Sequence, residues 1–383
     1  MARARNGGSV KPKLNILAYG PTGSGKSSIL LQMAYFKRED GTPWRILLID
    51  NESGGADEAV EELGNNGVDT ENIYIVYTQS IKETKDYINK VRDHEPFYEL
   101  DEYGEETDAI VKDAYGNQFV ADAIIVDGTS VLKLTNTQSL LDLSRKRNKI
   151  KAEKSGATGE EKFVATANAN LELKDYSQLN YAGQDLVLTL MACGANVGIT
   201  AREKDEQVSV QTEDGKVTSV YTGKKTFDSY KGMDYNVKTI LRMFRDENDQ
   251  VCCAVEKDRT KTHPVGTILE DPSLLDWETV VASGKGKKDF VIKNDLDKSI
   301  ETDQRIFEKQ ILGADYVAED KKSTAVVNEA DELRAAINAE LKKLAPPAKK
   351  TMKTKIEAAG LPTDLKTIAD AEVLSQILTL VTE

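Results

Sequence analysis

Hydrophobic residues fall along this chain in short unbroken runs set between stretches of helical spacing. Leu14 to Ala18, Trp44 to Asp50, Ile73 to Tyr77, Ala123 to Asp127 and Asn196 to Ala201 are too short for buried helices and show no alternation. Such runs predict strands buried on both faces. Between them, Ser28 to Tyr35, Ala56 to Leu63, Ile81 to Val91 and Tyr181 to Cys193 place apolar residues on one face of a helix. Strand–helix alternation of this kind predicts an α/β fold whose mainly parallel sheet is flanked by helices.

Two segments interrupt the alternation. Residues 95–120 are acidic and aromatic, with turn signals at Tyr103-Gly104 and Tyr115-Gly116-Asn117, and read as a solvent-exposed hairpin insertion. Residues 135–168 are polar and helical in spacing. Further on, Asp214-Gly215 between Gln207–Gln211 and Lys216–Tyr221 predicts a β-hairpin. Val237 to Phe244 and Gln250 to Val255 read as an antiparallel pair. The organisation expected is a flexible basic arm (1–12), a core (13–281), a charged linker (282–322) and a small C-terminal helical domain (323–383).

The chain has 383 residues, a formal net charge of −13, 39% hydrophobic and 30% charged residues. The acidity argues against general adhesion to nucleic acid but leaves room for a local basic groove. No apolar run approaches the roughly 20 residues that span a bilayer, and Cys193, Cys252 and Cys253 lack metal or disulfide spacing. A cytoplasmic protein with no membrane partner is expected.

The sharpest chemical signal is Gly20-Pro21-Thr22-Gly23-Ser24-Gly25-Lys26-Ser27-Ser28, a G-x-x-x-x-G-K-[ST] phosphate-binding loop between a predicted strand and a predicted helix. Its backbone amides cradle phosphates, Lys26 reaches the β- and γ-phosphates, and the Ser27 hydroxyl belongs to a Mg²⁺ shell. Asp127 closes an apolar run and is the expected second Mg²⁺ partner. Asp50-Asn51-Glu52 ends the second strand, so Glu52 is the candidate catalytic base or a loop-capping acid, with Asp50 the fallback. Arg202 and Glu203 sense the γ-phosphate or sit at the rim. The dense basic cluster Arg145, Lys146, Arg147, Lys149 and Lys151 is a solvated helix face, a DNA contact or a subunit contact. His94 and His263 are isolated and read as ordinary histidines.

The loop, Asp50-Asn51-Glu52, the stretch around Asp127 and the strand ending Ile199-Thr200-Ala201-Arg202 together resemble RecA-like ATPases. In that branch the glutamate after the early strand is the catalytic base, which the resemblance carries to Glu52. Val255-Glu256-Lys257-Asp258-Arg259 resembles the K-x-R stretch of DnaB-type helicases and KaiC, whose Lys and Arg reach the neighbouring subunit's γ-phosphate. Lys257 and Arg259 are the matching positions, with an exposed basic turn as the alternative. The layout is similar to RecA-like phage ATPases of recombination and single-strand annealing. The resemblance implies ATP and Mg²⁺ as ligands, single-stranded DNA as partner, and a ring or filament whose active sites are shared between subunits. It also implies a recombination or replication partner for the C-terminal helices. A helicase or packaging motor, and a nucleotide-gated regulator with little hydrolysis, are the alternatives.

Overall fold

The computed structural model describes residues 6–287, apart from 104–105, 213–214 and 216, and beyond them only part of the chain, chiefly 371–382. The expectations for residues 1–5 and for most of 288–370 lie outside the described residues. The chain divides into two compact units, Met1–Asp295 and Leu296–Glu383.

The first unit begins with β1 (Asn15–Gly20), α1 (Lys26–Leu31), β2 (Ile46–Asp50), α2 (Asp57–Asn65), β3 (Ile73–Tyr77) and α3 (Ile81–Asp93). A small hairpin of β4 (Tyr98–Leu100) and β5 (Glu106–Ile110) precedes β6 (Ala123–Asp127). Three helices follow: α4 (Thr129–Lys154), α5 (Gly159–Ala167) and α6 (Leu173–Ala192). The long strands β7 (Asn196–Gln211) and β8 (Val217–Asp228) then lead to the short helix α7 (Met233–Asn236). β9 (Thr239–Arg245), β10 (Val251–Asp258), β11 (Ile268–Glu270) and α8 (Glu278–Ala282) complete the unit.

Six strands lie parallel in the order β9-β1-β7-β6-β2-β3, with β10 and β11 added antiparallel beside β9. The apolar runs are explained by this sheet, because successive residues of each strand enter opposite cores. Leu17, Leu47, Ile49, Ile124 and Val126 pack with α3 and α6. Ile16, Ala18, Ile46, Leu48 and Ile125 pack with α1 and Trp277 on the other face. The α/β class read from the sequence, a mainly parallel sheet flanked by helices, is the class found.

Beyond Arg202, β7 leaves the core and pairs with β8 as an exposed two-stranded ribbon, in register from Gln207↔Tyr221 to Gln211↔Val217. The acidic insertion is less exposed than its composition predicts. Phe97, Val111 and Phe119 are buried, and Tyr74, Phe97 and Phe119 form an aromatic cluster. Its polar residues face water while its aromatic ones extend the main core. The basic start of the chain is not a free arm over residues 10–12. The Val10 carbonyl accepts from Lys287 Nζ at 3.1 Å, and the Lys11 stem lies against Gly284. At the far end of the unit, Asn294 donates to Asp185 Oδ1 at 2.8 Å and Thr189 Oγ1 at 3.0 Å, carrying the compact unit past residue 281.

In the second unit α9 (Ala371–Thr382) is helical, and Ile337, Ile356, Leu374, Ile377 and Val381 share a small core. Among the described residues no helix is long and apolar enough to cross a membrane.

Gly183 on α6 packs against the buried ring of Tyr230, and a Cβ there would lie 2.2 Å from ring atom Cδ1. Gly183→Ala gains about 1 kcal/mol of helix propensity and loses more to overpacking, so a net destabilisation of about 1–2 kcal/mol is expected. The measurement is a urea unfolding midpoint, and a midpoint at or above that of the unsubstituted protein would show that the ring yields freely.

Candidate nucleotide site

Gly20, Asp50, Asp127 and Arg202 close the core portions of four neighbouring strands at one edge of the sheet. Gly20 is level with Arg202, and Asp50 with Asp127. A sheet buried on both faces leaves its polar chemistry to such ends.

The loop after β1 is held by the backbone and by its own side chains. Gly20 admits no side chain, since a Cβ would lie 2.1 Å from the Met243 carbonyl oxygen, and Gly25 turns into α1 with φ 83°. Ser24 Oγ donates to the Pro21 carbonyl at 2.8 Å, and Lys26 Nζ donates to the same oxygen at 2.7 Å. Burial pushes the Lys26 ammonium below its ordinary pKa, while the Glu52 and Asp127 carboxylates oppose the shift. Pro21, Thr22, Gly23 and Ser28 are exposed.

Asp127 is 3% exposed. Its Oδ2 accepts from Ser27 Oγ at 2.8 Å, and its Oδ1 accepts from Thr200 Oγ1 on the adjacent strand. The Thr200 hydroxyl also accepts from Gly128 N at 2.7 Å, which locks the end of β6 to β7. Burial raises the Asp127 pKa. The two hydroxyl donors work against that shift, and the nearby Asp50 and Glu52 charges add to it.

Asp50, the fallback base, is fully engaged. Its Oδ1 accepts from Glu52 N and its Oδ2 from Gly54 N, each at 2.7 Å, across a turn with positive φ at Ser53 and Gly54. Asp50 therefore positions the loop that carries Glu52. The Glu52 stem crosses Gly128, where a Cβ would lie 2.5 Å from Glu52 Cγ. The residue after Asp127 must be glycine for Glu52 to sit there. Glu52 Oε1 accepts from Arg202 Nε at 3.0 Å, and Glu203 pairs with Arg242 at 3.4 Å. Lys26, Ser27, Glu52, Asp127 and Arg202 thus form one cluster, drawn from four separate parts of the chain.

Lys257 and Arg259 do not join it. β10 runs antiparallel to β9, so Lys257 is level with Ile240, and Arg259 N donates to the Lys238 carbonyl at 2.9 Å. Both lie at the amino edge of the parallel strands, about 15–20 Å from the loop at strand spacing. Lys257 Nζ donates to the carbonyls of Asp234 and, at 2.6 Å, of Val237. Its ammonium, lowered in pKa by burial and by Arg259, ties down α7. Arg259 is exposed.

The basic cluster lies on α4, a helix about 39 Å long at 1.5 Å per residue. Arg147 is committed internally. Its guanidinium donates to both oxygens of buried Asp175 at 2.7 Å, and Asp175 caps the start of α6. Arg145 pairs with Asp142 at 2.8 Å and Lys151 with Glu172 at 3.7 Å, while Lys146 and Lys149 are exposed. His94 ends α3 in the left-handed region, and His263 pairs with Asp276 at 2.9 Å.

Two contributors escape the sequence patterns. Thr200 orients Asp127, and Arg245 Nε donates to the Gly23 carbonyl at 2.8 Å. Neither was singled out as a site residue, and the pairing of β7 with β6 and of β9 with β1 brings them to the site.

No family model matches the chain, and no curated protein matches it in sequence. Among solved structures it is similar to a KaiC-like protein from the hyperthermophilic archaeon Pyrococcus horikoshii, with 12% identity, 68% of this chain and 90% of that chain covered, and a TM-score of 0.37. A likeness at that level says nothing about chemistry, which rests on the side-chain geometry above.

The raised pKa of Asp127 has a signed consequence. Between the unfolded and folded pKa values the folded protein holds a proton there that the unfolded chain releases, so Asp127 costs stability as pH rises from about 4, the unfolded aspartate value, through the folded value. Asp127→Asn is expected to raise the melting temperature at pH 7 in the absence of nucleotide, and the gain should shrink toward zero below about pH 4. A melting temperature lowered at pH 7, or a gain independent of pH, would contradict this account.

Proposed function

We propose that this chain is a Mg²⁺-dependent ATPase with a RecA-like core, assembling as a homo-oligomer and acting on single-stranded DNA in phage recombination or replication. One observation carries the reading: the Ser27–Asp127 contact at 2.8 Å lies beside a lysine-bearing glycine loop and a glutamate held against Gly128. A hydroxyl and a carboxylate so placed form an all-oxygen donor set that fits Mg²⁺. Mg²⁺ held there supplies charge neutralisation at the phosphate oxygens.

The protein's own part is positioning and electrostatics. Lys26 exchanges the Pro21 carbonyl for the β- and γ-phosphates, and the loop amides bind the phosphate chain. Glu52 orients the attacking water and takes its proton. Arg202, released from Glu52, neutralises charge on the γ-phosphate. Arg259, far from its own loop and exposed, acts on the nucleotide of a neighbouring subunit, with Lys257 holding the strand end that presents it. The exposed face of α4, carrying Arg145, Lys146, Lys149 and Lys151 with Leu143 and Ile150, contacts DNA. The C-terminal unit recruits a recombination or replication partner.

The Glu52–Arg202 pair favours a second reading, a nucleotide-gated regulator in which the base stays sequestered and hydrolysis is slow. Turnover with and without single-stranded DNA separates the two. An annealing or strand-exchange ATPase is stimulated by DNA. Lys26→Ala and Glu52→Gln should each lower turnover by about 10²-fold or more, the scale of general-base loss, with nucleotide binding kept only in Glu52→Gln. Lys146→Glu/Lys149→Glu/Lys151→Glu should abolish the stimulation and flatten the salt dependence of DNA binding. Full turnover by Glu52→Gln would remove it as the base, and unchanged DNA stimulation in the triple variant would remove α4 as the contact.

Sharing of the site is tested by mixing. Arg259→Ala should bind ATP normally yet hydrolyse it about 10³-fold more slowly, the loss typical of an arginine finger. Lys26→Ala subunits keep an intact Arg259, so mixing the two inactive proteins should restore part of the activity. An active Arg259→Ala protein, or a mixture as inactive as its components, would overturn the shared site.

A further inference from the structure

A cavity lies at the opposite edge of the sheet from the phosphate loop, among the segments that enter β1, β2, β6 and β7. It encloses about 370 Å³, within the range of small-molecule sites. Lys11, Lys13, Lys37, Arg38, Arg45 and Lys285 line it, against only two acids, Glu39 and Asp122. In a chain of net charge −13 such a concentration of positive charge needs a cause.

Among the described residues, internal pairing answers Arg45 but leaves Arg38, Lys37 and Lys285 incompletely answered. Asp122 is taken by Arg45, whose Nε lies 3.2 Å from Oδ2 and whose backbone N–H donates to the same oxygen at 2.9 Å. Glu39 Oε1 accepts from Gly286 N at 2.8 Å. Arg38 Nε is buried without a hydrogen-bond partner, its nearest acids being Asp122 at 3.9 Å and Asp40 at 4.0 Å. A buried guanidinium N–H left unmade is costly unless something else accepts from it. Lys37 and Lys285 are exposed at the rim, and among the described residues neither has an ion-pair partner. The carboxyl ends of α3 and α6 reach this edge at Val91 and Cys193. Their dipoles offer only about half a negative charge each, well short of the excess. Trp44, Val91 and Val281 supply an apolar wall beside the cations.

We propose that this cavity binds a small polyphosphate anion of nucleotide size, with the half-buried Arg38 guanidinium as the anchor and Lys37 and Lys285 as rim contacts. Charge-assisted contacts from several cations select a multiply charged phosphate over a monoanion, and the apolar wall accommodates an organic group attached to it. The site is separate from the ATP site and does not depend on that reading. β1 connects the two directly, since Lys13 precedes the strand and Gly20 ends it. An anion here therefore acts on the same strand that presents the phosphate loop.

The test titrates inorganic pyrophosphate, without Mg²⁺, into wild type, Lys26→Ala and Lys37→Ala/Lys285→Ala by calorimetry. Pyrophosphate should bind Lys26→Ala saturably, and adding the two rim substitutions to Lys26→Ala should weaken that binding about tenfold or more, the scale of two lost charge-assisted contacts. The rim residues are exposed, so an unchanged melting temperature certifies the fold. Arg38→Lys, which keeps the charge but loses the planar fork of guanidinium donors, should weaken binding in the same direction. No saturable binding to Lys26→Ala, or equal affinity with and without the rim lysines, would overturn the proposal. Neither result bears on ATP hydrolysis, which is read separately.

Discussion

Asp127 sits at the buried end of β6, and its carboxylate is answered by hydroxyls from elsewhere in the chain. Ser27 answers from the start of α1 and Thr200 from β7, so one buried carboxylate joins two strands and a helix that are distant in sequence. Removing either hydroxyl would leave part of the burial cost unopposed. The same requirement explains why the next residue is Gly128. With φ 100° it turns the chain away, and its missing side chain is the space that Glu52 occupies.

A second layer of constraint holds Glu52 itself. Asp50 is spent on two backbone amides and so fixes the turn, leaving Glu52 free to face either Arg202 or a ligand. The pair with Arg202 is half exposed, with side-chain exposures of 58% and 32%, so it is worth at most about 1 kcal/mol in water. A phosphate's charge exceeds that easily. The arrangement is a weak latch on a rigid frame.

The helical insertion shows how one charged residue type takes different parts. Arg147 reaches a buried carboxylate with planar, bidentate geometry and thereby fastens α4 to α6. Its neighbours Lys146 and Lys149 remain in solvent. Lys257 is likewise a fastener of backbone carbonyls. In both clusters composition announces positive charge, and packing decides which charges are left for a partner.

The class of fold, the strands and the glycine-rich turn from β1 into α1 were legible in the sequence, because strands buried on both faces must be continuously apolar and such a turn needs glycines at set intervals. The strand-end positions of Asp127 and of Asp50, two residues before Glu52, were legible for a related reason: a carboxylate closing an apolar run has only the strand end to occupy. The order of the strands was not legible, since it depends on which apolar faces pair across the chain. For that reason Thr200 and Arg245 stayed hidden as site residues. Burial of Phe97 and Phe119 inside an acidic segment was also beyond local pattern, because composition averages over the two faces that a folded segment separates. The placement of Lys257 and Arg259 on the far edge came from the antiparallel turn at β10, where reversing one strand moves a motif across the whole width of the sheet.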